Sequence, residues 1–231
     1  NILKSSEFDV KTILVGNIAA GGTGKTPHVE YLIRLLSNKK LATLSRGYGR
    51  KDPGFQQANK ESTADSIGDE PLQFYTKHPE VNVFVDTSRV SGIIGIMSKE
   101  EIPEVVLLDD AFQHRSLKTG FSILLTDYNA PFYKDFMLPT GNLREFTRGK
   151  KRADVIIVSK CPSVLSDAEK QQITEKIDAS PEKKVFFTTV KYGSFNSLFN
   201  LEEQVDLKGK ELIVVTGIAK SEPFINHLTK N

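Results

Sequence analysis

The stretch AAGGTGKT, Ala19 to Thr26, constrains this chain more than any other feature. It follows an apolar run, KTILVG at Lys11 to Gly16, and precedes Val29, Leu32, Ile33 and Leu36, which fall at helical spacing. Pro27 stands where the first turn of a helix tolerates proline. A glycine-rich loop between a strand and a helix N-terminus gathers backbone N–H groups and a helix dipole at one point, which suits a phosphate. In that setting Gly22 and Gly24 let the amides turn inward, Lys25 reaches the β- and γ-phosphates, and Thr26 offers a hydroxyl to Mg2+. The expected ligand is ATP with Mg2+, and its expected contacts are Ala19, Ala20, Gly21, Gly22, Thr23, Gly24, Lys25 and Thr26. Ala19 takes the first glycine position of the G-x-x-x-x-G-K-[ST] pattern, so Gly21 and Gly22 are expected to supply the flexibility.

The rest of the chain repeats this strand-then-helix alternation. Further β-rich runs are LATL from Leu41, VNVFV from Val81, VVLL from Val105, SILLT from Ser122, VIIV from Val155 and VFFTT from Val185. Helical patterns cover about Ser88 to Lys99 and Asp167 to Ile177. Continuous apolar runs read as strands buried on both faces, so the expected fold is an α/β P-loop NTPase core, a mostly parallel sheet with helices on both faces. Residues 1–191 are expected to form this nucleotide-binding domain and residues 192–210 a linker. Residues 211–231 are expected to begin a second α/β lobe, opened by a strand at Glu211 to Val215. The Pro- and Gly-dotted stretch from Asn129 to Gly149 is long for a structureless connection and is either functional or mobile.

Composition removes several function classes. A formal charge of +2 over 231 residues gives no bulk electrostatic case for nucleic acid. The single cysteine, Cys161, excludes an internal disulfide, and His28, His78, His114 and His227 lie too far apart in sequence to suggest a protein-built transition-metal site. No apolar run approaches the roughly 20 residues that span a bilayer. The chain starts without Met and ends shortly after its last apolar run, so it is expected to be a piece of a longer one.

Downstream segments add the chemistry. VVLLDD ends an apolar strand in Asp109 and Asp110 at the sheet edge where α/β ligands bind, and either carboxylate suits Mg2+. GDEP, Gly68 to Pro71, offers Asp69 or Glu70 as a base for an acceptor hydroxyl, or simply starts a helix. SRGYG, Ser45 to Gly49, places Arg46 after a strand, where it pairs with a phosphate or marks a surface turn. Gly141 to Asp154 gathers Arg144, Arg148, Lys150, Lys151 and Arg152, which suit a phosphorylated substrate, an anionic lipid surface or a solvated helix face. Phe146 alone interrupts that cluster, a poor match to single-stranded nucleic acid.

Taken in order, GNIAAGGTGKTP, LSRGYGR, GDEP, LLDDAFQHR, MLPTGNLRE and KKRAD resemble the tetraacyldisaccharide 4'-kinases, the lipid A kinases of Gram-negative bacteria. The resemblance runs from about Gly16 to Asp154, with Met137 and Thr140 replacing commoner residues of the family. It implies transfer of the γ-phosphate of ATP to the 4'-hydroxyl of an acylated glucosamine disaccharide 1-phosphate, forming lipid IVA. It also implies Lys25 and Thr26 on the nucleotide, Asp109 and Asp110 at the metal, and Asp69 as base. Glu70, Gln113, His114, Arg144 and Glu145 are implied near the metal or the reacting groups. The family further implies a membrane-associating N-terminal helix before Asn1, a histidine-bearing lobe after Asn231, and peripheral attachment to the cytoplasmic face of the inner membrane; His227 is not given the histidine's role.

Two other P-loop classes fit less well. A partitioning-type switch ATPase has lysine where this chain has Ala20. A small-metabolite kinase or a metallochaperone GTPase shares the core, but a GTPase wants N/T-K-x-D, and SKCP at Ser159 to Pro162 lacks the aspartate.

Overall fold

A strand that is apolar at every position has two faces to bury, and this fold covers both. The structure, a computed structural model, describes residues 5–180, 182–197, 199–200, 203–218 and 221–230. Its elements begin β1 (Lys11–Gly16), α1 (Lys25–Leu35), β2 (Leu41–Ser45), β3 (Gln56–Gln57), α2 (Ala64–Ile67), α3 (Asp69–Lys77), β4 (Asn82–Val85) and α4 (Arg89–Met97). They continue β5 (Val105–Asp109), β6 (Phe121–Asp127), β7 (Val155–Cys161), α5 (Asp167–Ile177), β8 (Lys184–Thr189) and α6 (Glu222–Lys230). Sheet order is β3-β4-β2-β5-β1-β6-β7-β8. The pairs from β4 through β7 are parallel, while the two-residue β3 runs antiparallel to β4 at the edge.

Residues along a strand alternate between two core layers. Leu14, Val106, Leu108, Leu124 and Ile156 pack on one side with Ile93 and Ile96 of α4. Val15, Leu107, Ile123 and Leu125 pack on the other with Val29 and Ile33 of α1. Asp167 to Ile177 forms α5 as its charged pattern suggests, started by a Ser166–Glu169 capping box. The parallel register then sets the site: Val15 lies opposite Asp109, and Asp127 opposite Ser159, so the chain leaves these strands at one edge.

Two elements escape the periodicity, β3 and α2; both are too short to carry a repeat. The stretch expected to be irregular, Asn129 to Gly149, holds a 3₁₀ turn at Phe132–Lys134 and runs into another at Thr147–Arg152. Its middle is tied back into the sheet edge, with Leu143 buried and bridged to both Ala19 and Met137. The strand expected at Glu211 to Val215 is absent: these residues have no regular structure, and Ile213 and Val215 are more than 90% exposed (97% and 91%). A β-rich run becomes a strand only beside a partner, and this run has no ladder partner among the described residues.

The chain divides into two compact units, Asn1–Thr188 and Thr189–Asn231. The second contains α6, a bridge between Asn196 and Gln204, and the ring of His227 stacked on Tyr192 with centroids 4.2 Å apart.

Close approach of β1 to the chain after β5 depends on Gly16, where a β-carbon would stand 2.7 Å from Phe112 Cβ and 3.1 Å from its backbone nitrogen. Gly16→Ala is therefore expected to lower stability by about 1–3 kcal/mol through overpacking, measured by chemical denaturation.

Candidate active site

The loop after β1 enters α1 through Gly24, whose φ of 83° is the left-handed conformation that glycine adopts without strain. Gly21 is the loop's other positive-φ residue, at 107°. Flexibility therefore sits at Gly21 and Gly24, and Gly22, expected to share it, is not among the positive-φ glycines. Ala19 is not strained either. It lies in an extended bridge to Leu143, flanked by bonds from Ala20 N–H to Asn142 O at 2.7 Å and from Arg144 N–H to Ile18 O at 2.8 Å. A residue in strand-like pairing has no need of glycine.

Six separated motifs meet around this loop in one series of contacts. Gly47 of SRGYG and Gly68 of GDEP both have positive φ, and a β-carbon on Gly68 would lie 3.0 Å from the Gly47 Cα, so only glycines allow the two segments to touch. Gly68 starts α3, placing Asp69 and Glu70 in its first turn with Pro71 buried behind them. Thr26 Oγ1 donates to Glu70 Oε1 at 3.1 Å, joining GDEP to the loop. Lys25 Nζ lies 3.7 Å from Asp110 Oδ2, joining the loop to the end of β5. Arg144 donates to both Asp110 oxygens, at 3.0 and 3.3 Å, and to Asn17 Oδ1. Gln113 donates to Glu145 Oε1 at 3.2 Å, and Arg152 pairs with the same carboxylate at 2.8 Å.

Thus Lys25, Thr26, Glu70, Asp110, Gln113, Arg144 and Glu145 are brought into one network, with Asp109 buried beside it. Asp69 is exposed beside Glu70 on α3. Arg46 is exposed after β2, close enough to act electrostatically on Arg89 and His114. His114 is half-buried, and burial, with Arg89 and Arg46 nearby, holds its pKa below the usual histidine value. The basic run beyond Gly141 is mostly engaged internally: Arg144 binds Asp110, Arg152 binds Glu145, and Lys150 binds Asp178, leaving Arg148 and Lys151 exposed.

The two aspartates at the end of β5 differ sharply. Asp109 is buried, and burial together with the carboxylates of Glu70 and Asp110 pushes its pKa up to about 7; its Oδ1 has no hydrogen-bond partner. Burial also acts against the charge of Asp110, but the Arg144 bond and the nearby cations Lys25, Arg144 and Arg89 outweigh it, so its pKa falls below the ordinary range. Two groups not among the expected site residues support this arrangement. Asn17, fully buried, donates to Thr23 Oγ1 at 2.9 Å, while its own carbonyl accepts from Gln113 at 2.8 Å. Arg89, 1% exposed, donates to the backbone oxygens of Asp86 and Asp109 at 3.0 and 2.9 Å, and burial lowers its pKa to about 10, which leaves it cationic at neutral pH. The available signal for Arg89 is its place: a lone cation opening an otherwise apolar helix just after a strand's carboxyl end.

Comparison with known proteins agrees with this geometry. The family model described as tetraacyldisaccharide-1-P 4'-kinase matches residues 1–231. The tetraacyldisaccharide 4'-kinase of Flavobacterium johnsoniae is 48% identical over 231 residues, covering 98% of this chain and 67% of that one. That of Flavobacterium psychrophilum is 52% identical over 234 residues with the same coverage, 98% and 67%, and that of Bacteroides thetaiotaomicron is 45% identical, covering 98% and 63%. The crystal structure of LpxK from Aquifex aeolicus in complex with ATP superposes with a TM-score of 0.65 at 34% identity, covering 80% of this chain and 56% of that one. The chain thus spans roughly two thirds of these curated relatives.

Arg89→Leu is expected to destabilise by about 3 kcal/mol, because it removes one of the cations beside the buried Asp109 and leaves the Asp86 and Asp109 backbone oxygens without their donor. Asp109, with a pKa of about 7, is largely neutral at pH 5 and ionised at pH 8, so the loss is larger at pH 8. Denaturant titrations of both proteins at the two pH values measure it.

Proposed function

The chain belongs to the tetraacyldisaccharide-1-P 4'-kinase family of ATP-dependent phosphotransferases, and from that premise we propose that the protein phosphorylates the 4'-hydroxyl of a tetraacyl glucosamine disaccharide 1-phosphate, forming lipid IVA. The observation that carries this reading is the unbroken series of contacts joining all six motifs at one sheet edge. A phosphoryl-transfer site needs little covalent chemistry and a great deal of positioned charge, and this edge concentrates both signs.

In this reading the loop N–H groups and the start of α1 hold the β- and γ-phosphates, and Lys25 neutralises them. Mg2+ takes few protein oxygens and leans on phosphates and water, so it does not need the cluster of three or more His, Cys, Asp or Glu ligands that is absent among the described residues. The Thr26 hydroxyl and the unpartnered buried Asp109 Oδ1 are hard oxygens that suit it, with Glu70 and Asp110 nearby to accept from its water ligands. When bound there, Mg2+ would neutralise charge on the transferring phosphate. Asp69, in the first turn of α3 beside Glu70, accepts the 4'-hydroxyl proton as that oxygen bonds to the γ-phosphorus and the β–γ bridging P–O bond breaks to leave ADP. Arg144 and Glu145 hold Asp110 and Gln113 in place, and His114, kept neutral, offers a hydrogen bond without added charge.

An acylated acceptor also calls for a lipid surface. We read the protein as peripheral to the cytoplasmic face of the inner membrane of a Gram-negative bacterium, with a helix preceding Asn1 as the anchor. No helix among the described residues is long and apolar enough to cross a membrane. Residues 192–210 are read as a linker and residues 211–231 as the first part of a second lobe.

Full-length protein given ATP, Mg2+ and tetraacyldisaccharide 1-phosphate is expected to yield lipid IVA, and chelation of Mg2+ to abolish turnover; no product at high enzyme concentration overturns the assignment. Asp69→Asn is expected to lower kcat by about 100-fold or more with ATP affinity nearly unchanged. A kcat near the parent value removes Asp69 as base. Recovery of all the full-length protein in the soluble fraction after cell lysis contradicts the membrane assignment.

A further inference from the structure

Four successive carbonyls of the phosphate loop each receive a side-chain hydrogen bond. Asn17 Nδ2 donates to Gly21 O at 3.4 Å, Lys160 Nζ donates to Gly22 O, and Ser159 Oγ donates to Thr23 O at 2.8 Å. His28 Nδ1 lies 2.7 Å from Gly24 O; a carbonyl partner requires the proton on that nitrogen, leaving Nε2 to accept from Thr188 Oγ1 at 3.2 Å. In a trans peptide the carbonyl of one residue and the N–H of the next point in opposite directions. Holding the Thr23 and Gly24 carbonyls therefore aims the Gly24 and Lys25 N–H groups to the opposite side of the loop. The Gly22–Thr23 peptide is fixed at both ends, its oxygen by Lys160 and its N–H by Gly21 O at 3.1 Å.

Lys160 is the contributor that comes from farthest along the chain and carries a full charge. It belongs to the SKCP segment, which as a guanine-reading motif lacks its aspartate. Its backbone has φ of 57°, a left-handed conformation that side chains other than glycine, asparagine and aspartate seldom adopt and that persists only where surrounding structure fixes it. Its ammonium is bound at 2.9 Å by Asp127, itself buried at the end of β6, and Asp127 and Ser159 are register partners across the β6–β7 ladder. The lysine is thus aimed by the sheet at the loop.

We propose that Lys160 is a nucleotide-positioning residue: its ammonium, seated on Asp127, holds the Gly22 carbonyl and fixes the loop in its phosphate-receiving shape. This rests on the reading of the loop as an ATP site. Lys160 acts through the backbone of Gly22, so it governs ATP affinity and leaves the transfer step alone.

The test uses full-length protein, with ATP binding measured by calorimetry and turnover measured separately. Lys160→Met is expected to raise the Kd and KM for ATP about tenfold, the size of one charge-assisted hydrogen bond, with kcat within about twofold and a lower ligand-free melting temperature, because the buried Asp127 loses its partner. Lys160→Arg, which keeps a donor able to reach both partners, is expected to restore most of the affinity. Asp127→Asn should weaken ATP binding in the same direction by a smaller factor. ATP affinity in Lys160→Met equal to the parent's overturns the proposal. So does a loss of affinity matched by an equal fall in kcat, since the role is then structural. If the parent protein binds ATP and only the variant comparison fails, the proposal alone falls; a parent that binds no ATP removes the loop reading beneath it.

Discussion

The site depends on keeping two adjacent carboxylates, Asp109 and Asp110, at the end of a buried strand. Taking such charges out of water is costly, and the structure offsets it with three cations of different origin. Arg89 comes from below on α4, Lys25 from the loop and Arg144 from the excursion after β6. The sharing is uneven. Asp110 takes the two ion pairs and stays ionised, whereas Asp109 faces Glu70 and holds its proton up to about pH 7. The segments that supply the cations are held near one another to satisfy this charge, so one electrostatic requirement also organises the loop, the start of α4 and the GNLRE turn.

Much of the architecture can be read from the sequence because burial on both faces leaves an unambiguous trace. The apolar runs at 11–16, 105–108 and 155–158 coincide with strands, and the capping residues around Asp167 mark α5. Where a pattern depends on a distant partner, reading along the chain fails. ELIVV at 211–215 has every local mark of a strand and forms none, while Gln56–Gln57 has no such mark and joins the sheet by hydrogen bonding to β4.

The candidate site follows the same division. Lys25, Thr26, Glu70, Asp110 and Arg144 were recognisable because a motif surrounds each. Asn17, Ser159 and Lys160 lie within quoted segments and Arg89 at a helix start, but no local pattern marks them, since their roles are defined by what lies across the fold. The basic run at 144–152 shows how composition misleads: on the sequence it resembles an open cationic patch, yet three of its five charges are neutralised within the molecule. SRGYG and GDEP, each ambiguous alone, gain meaning from the contact of Gly47 with Gly68, a spacing no side chain permits.

The series of contacts around the loop also has a temporal side. Residues 17–26 are joined to partners near 70, 110, 144 and 160, so each link closes a loop of tens of residues or more before it contributes. The phosphate cradle is complete only when β7 has docked beside β6 and brought Lys160 into reach. A chain emerging from synthesis therefore carries the loop's own residues long before it can shape the anion site. Nucleotide that binds the finished loop selects against every incompletely docked form, which makes the ligand a late participant in folding as well as a reactant.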